Sequence, residues 1–387
     1  MKILIELTYY RPHTSGLTIY AERLATALAK RGHQVTVLTS QYDKTLPREE
    51  MMDGVRVVRV PVLLRISKGV IMPSFGRIAT RMVKETDVLQ LHLPQFDAAG
   101  LAVRGRRHKK PTVITYHCDL LMPKGIFNWF VNQVVHVMNR IAAFYTHRIV
   151  AYTQDYADHS PYLSSYKQKL EVINPPVVMP EIKAEAIERF RQEHNPHGNH
   201  PVIGMAARFA TEKGVEVLLN AADEILRSYP DAEFWFAGPY ENIIGEQQYF
   251  ERLRPKIESL QKDGKWKFMG LLSPEVIAAF YPNLDILTIP SLNSTESFGL
   301  VQIEAMMNGV PVISANLPGV RQPVRRHEMG RVIPIGDSHA LAQAVKEIMA
   351  EKKTYGDRKV GIRETYAPDT IAQKYEDLFA RIQTEIQ

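Results

Sequence analysis

The sequence predicts an α/β protein built from two doubly wound domains. Two successive series of short apolar runs alternate with helical segments, a double proline separates the series, and 387 residues exceed one ordinary hydrophobic core. Hydrophobic residues make up 45% and charged residues 23% of the chain, proportions of a soluble globular protein rather than a fibrous or disordered one.

In the first series Lys2–Glu6 is a short apolar run. Leu17, Tyr20, Leu24 and Leu28 then recur at helical spacing until Gly32, and Gln34–Thr39 follows as a β-branched strand. Further buried-strand candidates are Val55–Val60, Val88–His92, Thr112–Tyr116, Arg148–Tyr152 and Leu170–Ile173. Such alternation argues for a parallel sheet covered on both faces. Asn174-Pro175-Pro176 breaks the rhythm, because two prolines restrict the backbone and remove amide donors.

The second series has strands at Val202–Ala206, Glu233–Ala237, Trp266–Met269, Ile286–Ile289 and Val312–Ala315. Its helices cover Gly214–Tyr229, Pro274–Tyr281 and about Phe298 to Asn308. The expected domains are therefore 1–175 and 176–366, with a C-terminal helix over 367–387 packing back on the first. Doubly wound domains facing each other leave a cleft at the carboxyl ends of both sheets, where such folds place ligands.

Charge is uneven. Met1 to Pro180 carries 24 Lys+Arg against 13 Asp+Glu, and the remainder 24 against 29. The basic half suggests an anionic partner: phosphate, a membrane surface or nucleic acid. Cys118 is the only cysteine, so no intrachain disulfide forms and a reducing compartment fits. Met1-Lys2-Ile3-Leu4-Ile5 runs at once into Glu6 and a polar loop, unlike a secretory leader, and no apolar stretch nears the ~20 residues of a spanning helix. The expected location is the cytoplasm, including the inner face of the plasma membrane.

The most informative stretch runs from Ser291 to Ile313. A strand enters, Ser, Asn and Thr residues turn the chain, and a helix is expected to open near Ser297. The amides of Ser297, Phe298, Gly299 and Leu300 then point beyond the helix end, where they bind an anion such as phosphate, with Gly299 allowing close approach. On a helix, Glu304 points to the same side as Glu296, roughly 12 Å further along. One carboxylate near a sugar and another near a ribose match the length of a nucleotide sugar. Read alone, such a pair is more often a helix-end acid and a solvated residue.

The context changes that balance. Glu296-Ser297-Phe298-Gly299-Leu300, followed by Glu304-Ala305-Met306-Met307-Asn308-Gly309-Val310-Pro311, resembles the E-x7-E signature of the family 4 retaining glycosyltransferases, which have the GT-B fold of two Rossmann-like domains. Ala207-Arg208-Phe209-Ala210-Thr211-Glu212-Lys213-Gly214 is similar to the family's Gly-Arg-…-Lys-Gly segment, with Ala207 in place of the usual glycine. The resemblance implies that Arg208 and Lys213 hold the donor diphosphate. A planar guanidinium and a point ammonium suit two adjoining phosphates. Phe268-Met269-Gly270 resembles the strand end that meets the nucleobase, and Leu317-Pro318-Gly319-Val320-Arg321 the segment that helps close the donor pocket.

In the first half, Arg11-Pro12-His13-Thr14-Ser15-Gly16-Leu17 follows the first strand. A dinucleotide fingerprint needs three glycines there, and only Gly16 is present. The family has a Gly-Gly pair at this loop. The resemblance thus leaves Gly16 to approach the donor's distal phosphate, while Leu17 departs from the pattern on the acceptor side. Thr115-Tyr116-His117-Cys118-Asp119 resembles the family's His-containing segment, implying that His117 faces the donor sugar and that Asp119 shapes the acceptor side. His92, at another strand end, is a secondary candidate, and Cys118 reads as a buried spacer.

The function implied is a retaining, metal-independent glycosyltransferase moving a hexose from a nucleoside-diphosphate sugar to a hydroxyl acceptor. No Asp-x-Asp occurs in the chain, no cofactor or metal is called for, and no nucleic-acid recognition motif is found. A nucleotide-sugar epimerase of the same fold and a non-catalytic nucleotide-binding protein are the alternatives. For the acceptor (a glycan, a small molecule, a lipid-linked or a cell-envelope precursor) the signals are three. Arg104 to Lys110 is a basic run, Leu121 to Tyr145 contains Ile126, Phe127, Trp129, Phe130, Val134, Val135, Val137, Met138 and Phe144 among few charges, and Arg65 to Met72 is a basic-apolar loop. They suit either an anionic membrane surface or a buried helix beside solvated loops.

Overall fold

The computed structural model describes residues 1–66, 69–121, 125–351 and 355–386. Its contacts divide the chain into one unit of Met1–Val177 with Tyr366–Gln387, and another of Val178–Thr365.

The first unit contains β1 (Lys2–Glu6), β2 (Gln34–Gln41), β3 (Glu49–Met52), β4 (Val55–Pro61), β5 (Leu64–Ile66), β6 (Gly69–Ile71), β7 (Val88–Leu93), β8 (Thr112–Tyr116), β9 (Arg148–Ala151) and β10 (Leu170–Val172). Eight of these form one sheet in the order β10-β9-β8-β7-β1-β2-β4-β3. All neighbours are parallel except β3 with β4. β7 and β8 are buried at every position, as expected where helices cover both faces. The edge strand β3 and the β5–β6 hairpin were not anticipated. A charged four-residue edge and two three-residue strands offer no readable period. Ser67 and Lys68 of the expected basic-apolar loop, and the side chain of Phe127, lie outside the described residues.

The terminal helix Pro368–Ile386 belongs to this unit. Buried Tyr375 makes hydroxyl contacts of 2.6 Å with Tyr20 and 2.8 Å with Thr115. At the surface Arg31 Nε donates to Glu376 at 2.7 Å and Arg148 Nη2 to Glu385 at 2.6 Å. The hydroxyl contacts satisfy groups that would otherwise be buried unpaired.

The second unit holds β11 (Val202–Ala206), β12 (Glu233–Ala237), β13 (Trp266–Gly270), β14 (Ile286–Ile289), β15 (Val312–Ala315) and β16 (Gly330–Ile333), ordered β13-β12-β11-β14-β15-β16 and all parallel. In both sheets the strand order reverses beside the unit's first strand, between β1 and β7 and between β11 and β14. Doubly wound sheets bind ligands outside the carboxyl ends of the strands at such a switch point.

Candidate active site

At the switch point of the second unit, the loops after β11 and β14 are stitched together. The Leu292 amide donates to the Glu212 carbonyl at 2.9 Å. Lys213 Nζ donates to Glu296 Oε2 at 2.6 Å, joining two residues 83 positions apart. Arg208 donates to Glu212 on the same loop. Burial works against the Lys213 ammonium, but Glu296 and Glu212 outweigh it, so its pKa is held above the usual lysine value. Lys213 therefore stays cationic throughout the neutral range. Its ammonium has three N–H donors and the Arg208 guanidinium five, so one partner each does not exhaust either group.

Gly214 makes this stitching sterically feasible. Its φ is +71°, and a Cβ there would stand 2.1 Å from the Pro290 carbonyl oxygen. Gly214→Ala is expected to cost about 2–4 kcal/mol from backbone strain and clash. Calorimetry of the variant should show its transition lowered by roughly 5–15 °C; an unchanged transition would mean that the two loops are not tied here.

The loop after β14 departs from expectation. The helix covers Leu300–Met307 and is preceded by Gly299 at φ +76°, so Ser297 and Phe298 lie before it rather than in its first turn. Asn293 Oδ1 accepts from the Thr295 amide and hydroxyl, prolonging the turn. Gly299 answers this protein's own packing, since a Cβ would stand 3.1 Å from Gln302 Nε2 and 3.2 Å from Ile289 Cδ1. Ser297 and Phe298 are buried; Leu300 is half-buried at the helix start. Glu296 sits in the loop on Lys213, while Glu304 is buried with Tyr281 donating to its Oε2 at 2.8 Å. The eight-residue helical spacing inferred for the two carboxylates therefore does not hold, because the chain is helical only from Leu300.

Met269 and Gly270 end β13, and the Gly270 carbonyl accepts from the Gly238 amide at 2.7 Å. Phe268 is stacked on Tyr240 with centroids 3.9 Å apart, a partner that lies in an irregular loop and gave no sequence signal. In the 317–321 segment, Gln302 Nε2 donates to the Val320 carbonyl at 3.1 Å. Among the described residues no three His, Cys, Asp or Glu side chains gather to hold a metal ion; the cations stitched into these loops are Arg208 and Lys213.

In the first unit, Ser15 caps helix Gly16–Lys30, its hydroxyl accepting from the Thr18 amide at 3.2 Å. Gly16 and Leu17 are the first two helical residues, and a Cβ at Gly16 would meet nothing within 4 Å. His117 follows β8 and is buried. Its Nε2 lies 2.7 Å from His92 Nδ1, and its Nδ1 contacts the Tyr152 hydroxyl. Burial, followed by the neighbouring His92, pushes the His117 pKa well down, and burial pushes His92 to about 3. Both rings are neutral at pH 7. Tyr152, from the loop after β9, was missed because its partner is 35 residues away.

Asp119 is buried, its Oδ1 accepting from Tyr116 at 2.9 Å and from Ser160 at 2.6 Å. These bonds commit that oxygen to joining the loop after β8 to Ser160, 41 residues further on. Cys118, expected to be a buried spacer, is half-buried. Elsewhere Glu6, at the end of β1, accepts from Gln95, whose Oε1 accepts from the Thr8 amide at 3.0 Å. Burial, then Asp97, raises the Glu6 pKa well above the carboxylate range.

The sequence matches two family models, Glycosyltransferase Family 4 over residues 14–179 and Glycosyl transferases group 1 over residues 186–363. The chain belongs to the family 4 glycosyltransferases. Its fold is GT-B. The crystal structure of Anabaena HepE in complex with UDP superposes on this glycosyltransferase with a TM-score of 0.78 at 19% identity, covering 98% of this chain and 100% of that one. An uncharacterized glycosyltransferase of Methanocaldococcus jannaschii is 24% identical over 98% of both chains. The alpha-monoglucosyldiacylglycerol synthase of Streptococcus pneumoniae is 23% identical, over 100% of this chain and 90% of its own.

Proposed function

We propose that this glycosyltransferase moves a hexose from a nucleoside-diphosphate sugar to a hydroxyl of a lipid-linked or glycan acceptor, retaining the anomeric configuration, without a metal, and working peripherally on the inner face of the plasma membrane. The observation that carries the reading is the Lys213–Glu296 contact beside Arg208 at a topological switch point. Arg208 and Lys213 bind the diphosphate, and the amides opening helix Leu300–Met307 add partial positive charge. Glu296 orients Lys213 and faces the sugar, Glu304 the ribose, and Met269 and Gly270 the base. Gly16, Leu17, His117 and Asp119 keep the donor and acceptor roles that the family resemblance gives them.

As the bond between the anomeric carbon and the phosphate oxygen breaks, the acceptor oxygen bonds to the same face, and its proton passes to the departing phosphate. Lys213 and Arg208 offset the charge that develops on that phosphate. A lipid-linked acceptor is supported by the name of the streptococcal relative and by the basic composition of the first half, and a uridine donor by the UDP complex of HepE.

The test is release of nucleoside diphosphate from UDP-, GDP- and ADP-sugars with lipid and glycan acceptors, followed by NMR of the product. Release with a retained anomeric centre is expected. Isomerised sugar without an acceptor points to an epimerase, and no turnover of any nucleotide sugar removes the donor assignment.

A further inference from the structure

Helix Ile126–Tyr145 has 20 residues and is about 30 Å long. Among its described side chains, seven are exposed: Ile126, Trp129, Phe130, Gln133, Val137, Arg140 and Phe144. At 100° per residue all seven fall within an arc of about 100°. Five are large and apolar, with exposures of 90% for Ile126, 63% for Trp129, 60% for Phe130, 54% for Val137 and 72% for Phe144. The opposite face carries Ala142 and Ala143 into the core. A surface helix ordinarily turns its charged residues outward, and this one turns out a stripe that is apolar but for Gln133 and Arg140, the mark of an interaction surface.

Charge selects what covers it. Val88 to Ala151 supplies this helix and its packed neighbour Ala98–Arg107, and contains eight Lys and Arg against two Asp and Glu. Of the two acids, Asp119 is buried and Asp97 half-buried. Arg106, Arg107, Lys109 and Arg140 are exposed. A two-fold dimer through the stripe would bring two copies of this cationic segment, each with exposed Arg140 within its stripe, into one interface. An anionic bilayer instead accepts the apolar side chains among its acyl chains and the cations at its headgroups.

We infer that helix Ile126–Tyr145 is the membrane-docking element, lying in the plane of an anionic bilayer with Ile126, Trp129, Phe130, Val137 and Phe144 inserted. The inference rests on the peripheral attachment of the proposed function and names the surface that makes it. No helix among the described residues is long and apolar enough to cross the bilayer.

The full chain is mixed with vesicles of phosphatidylcholine alone, or with added phosphatidylglycerol, and sedimented. Binding to the anionic vesicles is expected, weakened by salt, and reduced about 10-fold or more in Trp129→Glu/Phe130→Glu. The unmodified protein gives an independent reading. Trp235 and Trp266 are buried, so a blue shift of tryptophan emission on adding anionic vesicles reports Trp129. Failure of the unmodified chain to bind at low salt, unchanged binding by the double variant, or a dimer that the variant dissociates without any vesicle binding would each overturn the assignment. Nucleoside-diphosphate release with a water-soluble acceptor is assayed in parallel. Its retention in the variant separates docking from catalysis, and vesicle binding without turnover of any nucleotide sugar removes the donor assignment while leaving the docking surface.

Discussion

Lys213→Ala is expected to lower donor-dependent sugar transfer about 10²- to 10³-fold, the loss seen when one preorganised stabiliser of developing charge is removed. The ammonium is held by Glu296 and its pKa lies above the ordinary lysine value, so in the proposed reaction it would meet the leaving phosphate with its charge and direction already set. Glu296→Ala should lose activity to a similar extent, because Lys213 is no longer oriented. The stability changes should be smaller than the ~3–5 kcal/mol of a broken, fully buried pair, since both side chains keep partial access to solvent. The double variant separates the two effects. With both charges gone, the unpaired-ion penalty disappears, so stability should recover toward wild type while activity stays low. Steady-state rates and urea unfolding of the four proteins complete the cycle. Wild-type rates in either single variant would sink the donor-site assignment.

Acidification should destabilise the first unit through His92 and His117. Both are held neutral by burial, with His92 near 3 and His117 well below its ordinary value, against about 6.5 in the unfolded chain. Between those limits the unfolded state binds protons that the folded state refuses. Stability is therefore full above pH ~6.5 and falls with decreasing pH, by about 1.4 kcal/mol per pH unit for each histidine. The hydroxyl of Tyr152 and the ring edge of Tyr20 face His117, and neither brings a charge to stabilise an imidazolium. Asp97, raised to about 6 by burial, and Glu6 act in the opposite direction, since their folded forms bind protons more readily. The histidine part is isolated by comparing wild type with His92→Gln in urea at pH 7.5 and pH 5. The variant's loss of stability should be smaller by about 2 kcal/mol. Equal losses would show that His92 is not the buried neutral base described.

The long-range order of the fold was legible because buried parallel strands advertise themselves. β7, β8, β11 and β12 are buried along their length and rich in β-branched, aromatic and aliphatic residues, and they lie where that composition puts them. The edge strands β3 and β16 and the β5–β6 hairpin were not, because they are partly exposed and lack the apolar run that marks the equally short but buried β14 and β15. In the candidate site, Arg208, Lys213 and Glu296 were visible as residue types in a motif, but the start of the helix was not. Gly299 in the left-handed region and the Asn293 turn delay it to Leu300, and helix-forming residues on either side look alike in sequence. Partners brought in from other strands were hidden for a different reason. Tyr152 and His92 meet His117, and Tyr281 meets Glu304, only through tertiary packing. The 126–145 segment was equally compatible with a core helix and an interfacial one, and the exposure of Ile126, Trp129, Phe130, Val137 and Phe144, which no sequence period gives, sets it apart from a fully buried helix.

The return of helix Pro368–Ile386 to the first unit has a consequence for synthesis. Tyr20 leaves the ribosome 355 residues ahead of Tyr375, its buried hydroxyl partner. At 5–20 residues per second, the roughly 190 residues of the contiguous second unit take about 10–40 s to translate. During that interval the first sheet waits, with Tyr20 and Thr115 uncovered. The part of the chain made first is thus completed last, and a chain truncated after Thr365 and released should resist protease in residues 178–365 while remaining sensitive in residues 1–177.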